Sequence, residues 1–262
     1  MKLLVLGLGY TARALVRRLG SEWEVVATTR GENGPVLPAG GFDAVTHILV
    51  SIPPDETGDP VLTRYGAEIA ALNGLPWLGY LSTTGVYGTR EGGWADETSE
   101  LQPTGARGQR RVAAEQGWLA LGAHVFHLAG IYGPGRSAFD ALRAGTAKRI
   151  DAGGQVFSRI HVDDIASVLL ASIARPRPGA IYNVCDDEPA AQQAVVAHAA
   201  RLLGIGPPPL VPLAKAELTP MARSFYADNK RVSNTLMKQE LGVTLAYPNY
   251  RAGLAAVLAA GG

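Results

Sequence analysis

Short apolar runs rich in Val, Leu and Ile recur along the chain at Leu3–Leu6, Trp23–Thr29, Ala44–Ser51, Trp77–Ser82 and His124–Leu128, with helix-like stretches between most of them. Strands that are apolar throughout, separated by amphipathic segments, predict a parallel sheet covered on both faces: an α/β, doubly wound Rossmann-type body. About a dozen residues from Gly31 to Phe42 carry Gly and Pro without helical periodicity, so one crossover is expected to be truncated. After Gly130 the texture changes. Gly133-Pro134-Gly135, Gly153-Gly154 and Pro207-Pro208-Pro209 punctuate it, while Ile165–Ile173 and Ala190–Leu203 still read as helices. This half is expected to form a smaller C-terminal, substrate-side lobe.

Gly7-Leu8-Gly9-Tyr10-Thr11-Ala12 follows the first strand and opens the helix-like stretch Ala12–Leu19, which is G-x-G-x-x-A in its required setting. Two glycines permit a tight turn and close approach of a pyrophosphate to backbone N–H groups, and small Ala12 lets helix and strand pack closely. The second run ends Ala27-Thr28-Thr29-Arg30, with no acid to bind a ribose diol. A guanidinium there suits a 2′-phosphate, so NADP is expected over NAD, although an Arg at a strand end is often only solvated. The expected division is a dinucleotide-binding domain over 1–134, completed by strand and helix segments within 155–185, and a lobe over 135–262.

The chain has 262 residues, 24 Lys+Arg and 23 Asp+Glu, mixed rather than blocked, for a net charge of +1, which argues against a nucleic-acid partner. Cys185 is the one cysteine, and no Cys/His cluster has zinc spacing, so no metal and a reducing cytosol are expected. The run Leu3–Leu6 meets Gly7 too soon for a signal sequence, and no apolar stretch is long enough to span a membrane.

Tyr80-Leu81-Ser82-Thr83-Thr84-Gly85-Val86-Tyr87-Gly88 resembles the S-S/T-x-x-V-Y-G element of the extended short-chain dehydrogenase/reductases, the NAD-dependent epimerase/dehydratase family. Further matches follow in order: Pro103, Ala114-Glu115-Gln116, Leu128 to Gly135, Ile160 to Asp164, Tyr182-Asn183-Val184, and Asn229-Lys230 through Leu241-Gly242. The resemblance implies that Thr83 holds a substrate oxygen whose charge changes during hydride transfer, with Ser82 against the cofactor. β propensity alone would also explain a strand-end Thr.

The family's Tyr-x-x-x-Lys pair would fall at Arg107 and Arg111, by register from Ala114-Glu115-Gln116, and neither residue matches. Arg107 stays protonated and cannot exchange a proton near neutral pH. Arg111 could still donate to the nicotinamide ribose, or the two could form a solvated basic face. Tyr87 is the nearest replacement acid; it would need neighbouring cations to lower its pKa, whereas packing alone asks for nothing. The helix Ala106–Leu121 occupies the place where family members pair into a homodimer.

Asp163 and Asp164 are expected to cap the helix that follows, and His161 to be a satisfied core histidine. Arg136, Arg159 and Arg223 fall in the lobe, where they would bind a small-molecule substrate through an anionic group, or stand solvated. The usual family arginine falls near Phe157, which weakens a sugar-nucleotide assignment. Two functions follow: an NAD(P)-linked oxidoreductase or epimerase-like enzyme without the usual Tyr, or a non-catalytic NADP-binding sensor.

Overall fold

The structure is a computed structural model that describes residues 1–31, 34–72 and 74–261. Six strands form the central sheet: β1 (Lys2–Leu6), β2 (Glu24–Ala27), β3 (His47–Val50), β4 (Trp77–Thr83), β5 (His124–Leu128) and β6 (Ile181–Val184). They lie in the order β6-β5-β4-β3-β1-β2, and every pairing is parallel. The alternating apolar runs therefore build the expected doubly wound α/β sheet.

β1 shows why a strand with no polar interior residue must be covered twice. Leu3 and Val5 face the cluster holding Ala12, Leu15, Ile165 and Leu169, while Leu4 and Leu6 face Val61, Ile69 and Trp118. The first layer comprises α1 (Tyr10–Val16) and α5 (Val162–Ala174); the second comprises α2 (Pro60–Ala71) and α3 (Ala106–Ala120). Pro60 at the start of α2 and Asp59, whose carboxylate accepts from the Val61 and Leu62 N–H groups, fix where that helix begins.

The run read as one strand from Trp23 to Thr29 splits. β2 ends at Ala27, and Thr29–Gly31 pairs antiparallel with Gly34–Val36 in a separate hairpin, which takes the place of a crossover helix. Glu32 and Asn33, within the Gly31–Phe42 connection, lie outside the described residues.

The lobe has its own core, in which Phe139 and Leu142 of α4 (Ala138–Arg143), Val196 and Ala199 of α6 (Gln192–Leu202), and Leu254 of α7 (Tyr250–Ala259) come together. α5 and β6 return to the Rossmann body, and so do Val232, Met237, Leu241 and Leu245, which pack on the α1–α5 face rather than in the lobe. No described helix is long and apolar enough to cross a membrane.

Candidate functional site

The sheet order reverses between β1 and β3, and the crevice beyond their carboxyl ends is where open α/β sheets take ligands. Their register, from Leu3↔His47 to Leu6↔Val50, sets Gly7 level with Ser51. Gly7 has φ +102°, and a Cβ there would come within 2.7 Å of Ile52 Cγ1, so the turn requires glycine on both counts. Its N–H donates to Thr28 Oγ1 at 3.0 Å, and Ser51 Oγ donates to its carbonyl. Gly9 is the opposite case. A Cβ on it would meet nothing within 4 Å, and it begins α1 without a side-chain cap or a first-turn acid. Open space therefore faces uncapped N–H groups, which suits a pyrophosphate. Ala12 is wholly buried and Thr11 nearly so, as close packing of α1 demands.

Tyr10 turns away from this cradle: its hydroxyl donates to the Pro134 carbonyl at 3.0 Å, and the Arg136 guanidinium lies 5.8 Å from its ring centre. It thereby joins the glycine turn to the lobe. Arg30 stands exposed in the hairpin beyond β2.

The second group of residues gathers at the carboxyl end of β4. Thr83 is half-buried, and its Oγ1 accepts from the Gly85 N–H at 3.1 Å, so its own hydroxyl proton stays available. Ser82 faces α3 and donates to Glu115 Oε1. Arg111 is buried, and its Nη1 donates to Tyr80 Oη at 3.1 Å and to the Leu81 carbonyl at 2.7 Å, tying α3 to β4. Arg107 is exposed on the same helix.

Tyr87 does not meet the condition set for an acid. It is fully buried, its hydroxyl donates to Asn183 Oδ1 at 2.8 Å, and burial followed by the Glu97 carboxylate holds its phenol well above the ordinary value. Carboxylates, and not the cations that an acid's role would need, stand around it, which leaves the packing reading of Tyr87.

Glu115 and His127 escaped the sequence reading. Glu115 Oε2 faces His127 Nε2 at 3.1 Å, with both side chains at most 2% exposed, and His127 Nδ1 lies 2.9 Å from Tyr87 Oη. A histidine in the wholly buried strand His124–Leu128 was the available signal.

In the lobe a cavity of about 390 Å³ is lined by Tyr132, Arg136, Ser137, Arg159, Val195 and Tyr250, among others. Arg159 Nη1 donates to the Phe157 and Ala190 carbonyls, both at 2.8 Å, which fixes the guanidinium at the wall. The structure brings Arg136 and Arg159 together but not Arg223, which is exposed, does not line the cavity, and donates to the Ala216 carbonyl.

Two capping expectations change. His161 is the residue that caps α5, its Nδ1 accepting from the Asp163 N–H at 3.2 Å, while its Nε2 has no hydrogen-bond partner among the described residues. Asp164 is buried and accepts from the Ala246 and Tyr247 N–H groups at 2.8 and 3.0 Å, pinning the segment before α7. No group of three or more His, Cys, Asp or Glu among the described residues could hold a metal.

The parallel sheet, the glycine turn at its reversal point and the lobe beyond define a class: the fold is that of the extended short-chain dehydrogenase/reductases of the NAD-dependent epimerase/dehydratase type. It is shared with dTDP-glucose 4,6-dehydratase from Bacillus anthracis, solved in complex with NAD (TM-score 0.78, 17% identity, 99% of this chain and 96% of that one). It is shared also with the human epimerase family protein SDR39U1, solved with NADPH (TM-score 0.73, 17% identity, 98% and 99%). No family model matches the sequence. Within that fold, the chain belongs to one family with a conserved protein of unknown function from Silicibacter pomeroyi, 54% identical over 99% of both chains at a TM-score of 0.92.

Proposed function

We propose that the chain is an NADP-linked oxidoreductase or epimerase-like enzyme that moves a hydride to or from a small substrate carrying an anionic group. One observation carries the reading: a glycine turn that tolerates no side chain at Gly7 and leaves open space over Gly9, at the point where the strand order reverses. The backbone from Gly7 to Ala12 would form the pyrophosphate cradle, Tyr10 contributing its main chain only, since its side chain is turned to Pro134. Arg30, exposed where an acid would select NAD, would face a 2′-phosphate. The nicotinamide supplies hydride chemistry when bound; the chain's own residues hold and orient the partners.

Thr83, with its hydroxyl proton uncommitted, would hold the reacting oxygen, and Arg111, fixed beside Ser82, would steady the nicotinamide ribose. Arg136 and Arg159 would take the substrate's anion at the cavity wall, with Tyr132, Val195 and Tyr250 against an apolar body. Arg223 has no part in this arrangement. The reading includes a homodimer formed through α3, whose Ala113 is exposed and Val112 and Leu119 half-buried; light scattering at micromolar concentration gives twice the chain mass if it holds. Its place of action is the cytosol.

A crystal structure grown with NADPH and phenylpyruvate, a carbonyl compound with a carboxylate and an apolar body, tests the whole placement. Density for the 2′-phosphate at Arg30 and for the carboxylate between Arg136 and Arg159 is the expected result. NADPH bound elsewhere than the glycine turn would refute it.

A further inference from the structure

Tyr10 opens α1 directly after Gly9, so its N–H belongs to the uncapped first turn. Its side chain leaves toward the lobe. The ring packs against Val162 and Ala166 of α5 and ends on the turn Gly133-Pro134-Gly135-Arg136, where the hydroxyl donates to the Pro134 carbonyl at 3.0 Å. That turn is tight: the Gly133 N–H donates to the Arg136 carbonyl at 3.1 Å, and the Arg136 N–H to the Gly133 carbonyl at 3.0 Å. A Cβ on Gly133 would lie 2.6 Å from Tyr10 Oη and 2.8 Å from Val162 Cγ1, so only glycine lets the turn come this close to the phenol.

The two arginines of the lobe cavity differ in how they are held. Arg159 is fixed by the Phe157 and Ala190 carbonyls. Arg136 is exposed and has no such anchor among the described residues; what stands against its guanidinium is the Tyr10 ring, 5.8 Å away at its centre. A long, exposed side chain must give up rotamer freedom when it takes a ligand, and a fixed ring beneath it lowers that cost.

We propose that Tyr10 is a positioning residue that couples the two ligands: its main chain meets the dinucleotide's pyrophosphate, its side chain sets Arg136 for the substrate's anion, and each ligand tightens the other. The proposal rests on the reading above, which puts the pyrophosphate on Gly7–Ala12 and the anion at Arg136 and Arg159. Pyrophosphate on the first-turn N–H groups fixes the start of α1, and with it the root of the ring. The ring then steadies the Gly133–Arg136 turn, so the anion meets an arginine already in place. The ordering is done once and serves both ligands, which is the condition for positive coupling. Both ligands are anions, and charge repulsion alone would make each weaken the other. The sign of the coupling is therefore diagnostic.

The test is calorimetry on the full chain with NADP⁺ and phenylpyruvate, an oxidised pair between which no hydride can pass. Saturating NADP⁺ is expected to tighten phenylpyruvate about fivefold to tenfold, and saturating phenylpyruvate to tighten NADP⁺ by the same factor. Tyr10→Phe keeps the ring and loses the bond to Pro134, which should lower the factor severalfold; Tyr10→Ala loses both and should bring it to one or below. A role in folding alone would weaken the single affinities and leave the factor at its wild-type value. That result overturns the proposal, as does a wild-type factor of one or less. Hydrogen exchange reads the same link without phenylpyruvate: NADP⁺ should slow exchange of the Gly133 and Arg136 amides severalfold in the wild type and much less in Tyr10→Phe. Equal slowing in the two proteins also overturns the proposal. Failure of NADP⁺ to bind the wild-type chain at all would instead remove the dinucleotide reading, and this proposal with it.

Discussion

The glycine turn and the polar row at the end of β4 solve the same problem, placing polar groups where two layers meet, with opposite materials. At Gly7–Ala12 the chain offers its backbone, and side chains matter mainly by being small: Gly7 has no room for a Cβ, Gly9 leaves space for a ligand, and Ala12 lets α1 close on the sheet. At Ser82–Glu115–His127–Tyr87–Asn183 the work is done by buried side chains from five separate segments, joined by the Ser82–Glu115, His127–Tyr87 and Tyr87–Asn183 hydrogen bonds, while Glu115 Oε2, His127 Nε2 and Asn183 Nδ2 have no hydrogen-bond partner among the described residues. A backbone site is local, so a single residue change abolishes it. A side-chain row is distributed, and it fails in steps.

Gly7→Ala breaks the first region outright. Forcing a side chain into φ +102° and against Ile52 costs on the order of 2–3 kcal/mol of stability and should lower NADPH affinity at least about a hundredfold. Thermal melts and calorimetry read the two effects, and an alanine variant that bound NADPH normally would show that the turn is not the cradle.

How far each region was legible in the sequence follows from the same contrast. β1, the turn and α1 are contiguous, so Gly7, Gly9 and Ala12 could be read from spacing alone. The pairing of Glu115 with His127 is set by how α3 lies on β4 and β5, and nothing in either residue's neighbours announces it. Asp164 was read as a cap because Asp favours that place, but its partners, the Ala246 and Tyr247 N–H groups, lie 82 and 83 residues away. The cap fell to His161, a residue that cap preference ranks low.

The pH dependence sharpens the comparison, because the turn has no titrating carboxyl whereas the end of β6 does. Burial raises the Asp186 carboxyl to about 7 from 3.8. A folded pKa above the unfolded one means that the folded state binds the extra proton, so stability from this group is present in acid and lost as the pH rises toward 7. Asp186→Asn should therefore gain on the wild type by on the order of 2 kcal/mol between about pH 5 and 7, levelling off above that. Equal pH profiles for the two proteins in thermal melts would show that Asp186 is not strained by burial.

Tyr87→Phe removes one hydroxyl from the row and leaves Asn183 Oδ1 and His127 Nδ1 without it. A loss of about 1–2 kcal/mol in denaturant unfolding is expected, with NADPH affinity untouched. Parallel losses of stability and affinity would mean that the two regions are not independent. Arg30→Ala is the mildest change: it should leave stability alone and narrow the preference for NADPH over NADH by about tenfold or less.

The central claim, that this fold binds a phosphorylated nicotinamide dinucleotide on the turn at Gly7–Ala12, is met most directly by titrating the wild-type chain with NADPH and NADH in one calorimeter. The account predicts one molecule of NADPH per chain, bound more tightly than NADH; heat from neither, or equal affinities for both, would contradict it.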